Sequence, residues 1–198
     1  RKRSFSILIF TTFLLAMAVP FYSLAVPKLM IQLGIHSNWV PAVMTIGQIS
    51  EFPALLLLAF FLKRYGLKIT FALGMIAWVA RYFLFAMEEP MWLILFGIGL
   101  HGICHVFLIV VIQLYVDAQC ENDVRASAQN LFAFITMGIA MPIGFILGGK
   151  LEQWNTDPLT HITNYHILFM IPAIFILMVL VGYWMLFHLD NTSQDKTN

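Results

Sequence analysis

Residues 91–116, MWLILFGIGLHGICHVFLIVVIQLYV, contain no Asp, Glu, Lys or Arg. At about 1.5 Å rise per residue, roughly 20 such residues span a hydrocarbon core about 30 Å thick, so lipid rather than water is the expected solvent of this stretch. Lipid leaves backbone polar groups unsatisfied, and only helices or closed barrels can cross it. The block lacks the apolar and polar alternation of barrel strands, which leaves a helix. The rest of the chain agrees: 61% of its residues are hydrophobic and 11% charged, with mean hydropathy +0.86. A soluble domain carries charge on about a quarter of its residues.

Working outward from this block, apolar runs between polar or Gly/Pro punctuation predict six transmembrane helices over 5–33, 39–62, 67–87, 91–116, 126–150 and 165–189. The chain is therefore expected to be an all-α, multi-pass membrane protein, with a six-helix domain over 1–189 and a polar, disordered cytoplasmic tail over 190–198. The first block is too long for a signal peptide and ends without a small-residue cleavage site. The chain opens on Arg1 rather than Met, as a piece of a longer protein would. Net charge is +1, which offers no basic stripe for nucleic acid. Cys104 and Cys120 are too few for a disulfide framework or a metal cluster and read as packing residues.

The connecting segments carry a charge bias. Arg1, Lys2, Arg3, Lys63, Arg64, Lys68 and Arg125 fall on one side, whereas the His36 loop, the Glu88-Glu89-Pro90 turn and residues 152–164 add almost no Lys or Arg beyond the flanking Lys28 and Lys150. The positive-inside rule then places both termini in the cytoplasm.

Polar side chains inside the spans are functional candidates, because each costs several kcal/mol unless it faces a cavity or a partner. In the second span Gln48 and Glu51 lie three residues apart and share a helical face, which Met44 and Leu55 continue. A carboxylate there hydrogen-bonds a polar solute when ionised and takes a proton more readily than one in water, the chemistry of a proton-coupled binding site. A structural carboxylate paired with a basic residue of another helix is the alternative. In the fourth span His101 and His105 lie one turn apart. They are candidates to line a polar cavity, to pack, or to help hold a metal or haem, although a closed zinc site needs about four ligands and a catalytic one about three. Arg81, in the third span, is expected either to snorkel toward the outer end of its helix or to pair with Glu51. Asp117 and Arg125 flank the loop after the fourth span as a gating or structural ion pair. Pro20, Pro27, Pro53 and Pro142, with Gly138, Gly144, Gly148 and Gly149, predict kinked and closely packed helices.

Several stretches taken together resemble the nucleoside:proton symporter family of the major facilitator superfamily. They are Gly47-Gln48-Ile49-Ser50-Glu51, Phe61-Leu62-Lys63-Arg64-Tyr65-Gly66, Ala77-Trp78-Val79-Ala80-Arg81-Tyr82-Phe83-Leu84-Phe85-Ala86, Tyr115-Val116-Asp117, Val124-Arg125-Ala126-Ser127-Ala128-Gln129 and Gly148-Gly149-Lys150, in that order. The resemblance implies that the six spans are helices seven to twelve of a twelve-helix transporter of the cell (inner) membrane, whose N-terminal six-helix half lies outside this chain. It implies proton-coupled uptake of a nucleoside or similar small polar solute by alternating access, without covalent chemistry or a cofactor. Gln48 and Glu51 match positions that bind the nucleoside. Glu51 and His105 are then the proton-coupling candidates, with His101 and His105 as further solute contacts. Two departures stand out. The family carries a tyrosine, an aromatic residue and an aspartate where this chain has His101, His105 and Val106, so the aspartate's role is lost or falls to a histidine. A glutamine and asparagine of the family's first span have no match where Pro20, Tyr22 and Ser23 stand. The readings from other classes are a membrane enzyme or metalloprotein built on His101, His105, His161 and His166, and a six-helix interaction module that pairs with a copy of itself.

Overall fold

The computed structural model describes residues 2–120 and 122–187, and every regular element among them is helical. Helix α1 covers Lys2–Gln32. After a short 3-10 turn at Ser37–Trp39, α2 covers Val40–Ala86, α3 Met91–Gln119, α4 Arg125–Trp154 and α5 Tyr165–Leu186. All five are long and apolar enough to cross a membrane. The expected disordered tail over 190–198 lies outside the described residues, as does the expected end of the last span at 189.

Two features of the helices correct the sequence expectation. The loop expected between 62 and 67 is a single residue, Gly66, whose φ of 73° and ψ of 176° break α2 into segments 40–65 and 67–86. Only glycine reaches that backbone region without strain. Lys63 and Arg64 stay helical, since long charged side chains reach a polar surface without uncoiling the backbone. The prolines at 20, 27 and 53 do not interrupt their helices. Instead α3 and α4 each hold a π-helical stretch, Val106–Val110 and Phe134–Ala140. The second runs up to Pro142, whose ring would otherwise crowd the Gly138 carbonyl four residues back. A wider turn relieves that clash.

Packing follows from aromatic layers and close backbone approaches. Segment 67–86 lies against α5, with Phe71 on Tyr183 and both Tyr82 and Phe85 on Phe169. The fully buried Tyr82 donates its hydroxyl to the Ala18 carbonyl of α1 at 2.6 Å, which ties α1 to the same layer. Where α1 meets α4, a side chain at Gly144 would fall on the Met17 carbonyl, so this glycine sets the approach of the two backbones. At the end of the bundle where α1 finishes and α5 begins, Lys28 pairs with Glu152 at 2.7 Å, and Gln32 exchanges two hydrogen bonds with the backbone of Thr163. Glu88 accepts from the His166 backbone N–H, and Nδ1 of His166 lies 2.8 Å from the Ala86 carbonyl.

Gly144 and Gly149 give a controlled pair, since nothing lies within 4 Å of the position a side chain would take at Gly149. Gly144→Ala is expected to destabilise the fold by about 1–3 kcal/mol through overpacking. Gly149→Ala should be neutral or gain up to about 1 kcal/mol of helix propensity. Thermal unfolding of both variants in detergent micelles checks the contrast, and equal melting temperatures would contradict it.

Candidate functional site

The site forms where segment 40–65 of α2 meets α3. Gly102 is buried there, and a side chain on it would collide with the Ser50 carbonyl. The α-helical pattern of α3 lapses at Leu100. The Gly102 N–H donates across the seam to Ser50 Oγ at 2.8 Å, and Ser50 Oγ donates in turn to the Gly47 carbonyl at 2.6 Å. At Gly47 a Cβ would come within 3.2 Å of the His101 Cβ, so the missing side chain makes room for the imidazole. Two glycines and one serine thus bring the faces bearing Glu51 and His101 together.

Glu51 stands near the middle of segment 40–65, and its Oε1 lies 3.3 Å from His101 Nε2, with the two side chains 28% and 20% exposed. The other ring nitrogen, Nδ1, lies 3.2 Å from Arg81 Nη1. A guanidinium has donors and no acceptor, so Arg81 donates and Nδ1 accepts. The neutral ring then carries its proton on Nε2, the nitrogen beside Glu51. Arg81 is only 2% exposed, which corrects the expectation that it snorkels or pairs directly with Glu51: the imidazole stands between the two charges. The guanidinium carbon also sits 3.6 Å from the centroid of the Tyr22 ring, a desolvated cation–π contact of order 2 kcal/mol.

Tyr22 of α1 stacks on His101 at 5.5 Å between centroids, and His101 on His105 at 5.7 Å, so three rings form a column along the seam. The Tyr22 hydroxyl lies 3.7 Å from Met44 Sδ. Gln48 lies one turn from Glu51 with its side chain exposed. Glu51, His101, His105 and Arg81 are therefore brought together, with Gln48 on the flank. Asp117 and Arg125 meet elsewhere, at 3.2 Å, as an ion pair across the α3 to α4 turn. Sequence reading passed over Ser50, Gly47 and Gly102 as site builders. The available signal was the small residues spaced along the polar faces of two spans.

Glu51, His101 and His105 present ligand atoms within 4.8 Å of one another, as a metal site would. The electrostatics oppose that use. With Nδ1 accepting from Arg81, Nε2 keeps its proton and has no lone pair for an ion, and a dication there would face the buried guanidinium. Of the other histidines in the enzyme or metalloprotein reading, the His166 ring contacts the Ala86 carbonyl at the start of α5 and His161 is exposed in the α4 to α5 loop, so neither joins the cluster.

The pattern of a family described as Nucleoside H+ symporter matches residues 1–192. The putative nucleoside transporter YegT of Escherichia coli K12 is 31% identical over 160 residues, which cover 77% of this chain and 37% of that protein. The nucleoside permease NupG of Escherichia coli K12 is 31% identical over 135 residues, covering 66% of this chain and 32% of that one. The crystal structure of nucleoside transporter NupG superposes with a TM-score of 0.80 at 24% identity, over 94% of this chain and 49% of that chain. This likeness shows a shared fold. The chain thus spans about a third of the curated relatives' length and about half of the solved one.

Ser50→Ala would leave the Gly102 N–H without its partner. The expected cost is about 1–3 kcal/mol, read as a lower melting temperature in micelles. Unfolding identical to that of the unsubstituted chain would show that the Ser50 bridge does not hold the seam.

Proposed function

This chain belongs to the nucleoside H+ symporter family, and from that premise we propose that it is the C-terminal six-helix half of a twelve-helix major facilitator transporter. Several observations support the count of six. The apolar helix over Ser37–Ala86 is 50 residues long, more than twice what a bilayer core requires, and it breaks at Gly66 between Arg64 and Lys68. Each segment is then one crossing, and the break lies at a basic membrane boundary. The same count puts Lys63, Arg64, Lys68 and Arg125 on one side, which by the positive-inside rule is the cytoplasm and holds both termini. The upstream six-helix half is inferred from the share of the relatives that this chain covers.

The function is proton-coupled uptake of a nucleoside or similar small polar solute across the cell (inner) membrane by alternating access. One observation carries this reading: Glu51, near the middle of its crossing, is not sealed inside the bundle, but with Oε1 beside His101 Nε2 it sits part-exposed next to exposed Gln48. Facing hydrocarbon, that pair would cost several kcal/mol, whereas a wet cavity between two halves gives it a polar partner. Gln48 and Glu51 are the solute contacts, with His101 and His105 beside them. Glu51 exchanges the proton, with His105 as its neighbour in the stack. The Asp117 and Arg125 ion pair lies at the cytoplasmic boundary and steadies the turn between α3 and α4.

Proteoliposomes of the full-length protein, upstream half included, with an imposed proton gradient and a panel of radiolabelled nucleosides, sugars and small acids test the reading. The unsubstituted protein should accumulate one class against its gradient. Glu51→Gln, which keeps shape but cannot exchange a proton, should lose accumulation and retain downhill exchange. Accumulation by Glu51→Gln equal to that of the unsubstituted protein would reject Glu51 as the coupling group.

A further inference from the structure

Arg81 is a charge taken out of solvent without a direct counterion. A guanidinium does not give up its proton in proteins, and an uncompensated buried charge costs several kcal/mol. Its Nε and Nη2 have no hydrogen-bond partner, Nη1 has His101 Nδ1, and Tyr22 covers its face. The nearest compensating charge among the described residues is the Glu51 carboxylate, on the far side of the imidazole. The titratable and charged groups around His101 are Tyr22 from α1, Glu51 and Arg81 from the two segments of α2, and Cys104 and His105 from α3. Glu51 is the carboxylate among them.

We propose that Arg81 is a positioning residue for proton coupling: by donating to His101 Nδ1 it fixes the ring as a neutral Nε2–H donor and thereby removes His101 from the groups that exchange the proton beside Glu51. A second proton on His101 would have to sit on Nδ1, where it meets an Arg81 N–H at 3.2 Å. Two donors and two positive charges would then face each other with no acceptor between them. The carboxylate has no such conflict, because a protonated Glu51 still offers its carbonyl oxygen to Nε2–H. The inference rests on the transport reading above and adds to it the device that keeps the imidazole next to Glu51 from competing for the proton. His101 therefore acts as a fixed link and not as a second proton site.

Imidazole 15N spectra of the full chain in nanodiscs, with His101 assigned by difference against His101→Asn, read the ring state directly. Across about pH 5 to 8, where imidazoles ordinarily titrate, the unsubstituted chain should show a bare Nδ1 and a protonated Nε2 throughout. Arg81→Gln should release the ring to titrate within that window, and Arg81→Lys, which keeps a cationic donor, should restore the fixed state. A protonated Nδ1 or a titrating ring in the unsubstituted chain overturns the proposal even if no variant folds. In proteoliposomes, Arg81→Gln should add a second limb to the pH profile of uptake, and the Arg81→Gln, His101→Gln double variant should lose it. An unaltered profile in Arg81→Gln alongside a titrating ring overturns the coupling role. No solute uptake by the full-length protein, upstream half included, whose ring stays fixed overturns the transport reading and leaves the tautomer assignment standing.

Discussion

A guanidinium inside a membrane protein must find compensation without surrendering its charge, and the placement of Arg81 sets the terms for everything around it. It draws Tyr22 from α1 over its face, takes the lone pair of His101 from α3, and through that ring is balanced by Glu51 from the other segment of α2. Four helical segments are thereby tied to one charge. The seam geometry serves this end: without Gly47 the imidazole has no room, and without Gly102 the two backbones cannot approach.

Much of the fold was legible in the sequence because the bilayer leaves few choices. Blocks such as 91–116 have only one way to satisfy their backbone, and the helices appear where those blocks stand. What the sequence hid was local. Gly66 was read as part of a loop because Lys63, Arg64 and Lys68 cluster around it, yet lysine and arginine at a boundary are compatible with helix and only the glycine breaks it. The π-helical stretches were invisible as well, since they answer to packing and to the ring of Pro142 rather than to hydrophobic periodicity.

The site was half legible for a related reason. Spacing along one helix identifies which residues share a face, and it brought out Gln48 with Glu51 and His101 with His105. It says nothing of what lies opposite. Arg81 and His101 are 20 positions apart on different crossings, and their contact arises from the turn at Met87–Pro90 folding α3 back on segment 67–86. The charge that looked able to reach an interface is instead among the most enclosed polar groups described, and the carboxylate expected as its direct partner is reached through an imidazole.

The π-helical stretch that begins directly after His105 changes how α3 must be interrogated. Each such turn takes up one more residue than an α-turn, which offsets the downstream part of the helix by roughly 100°. Residues on the two sides of Val106–Val110 are therefore out of phase, and a scan of α3 interpreted with a single period would assign Gln113 and Tyr115 to the wrong wall of the bundle. The length of this crossing is best treated as two independently indexed pieces, one presenting the histidines and the other carrying Asp117 to the boundary.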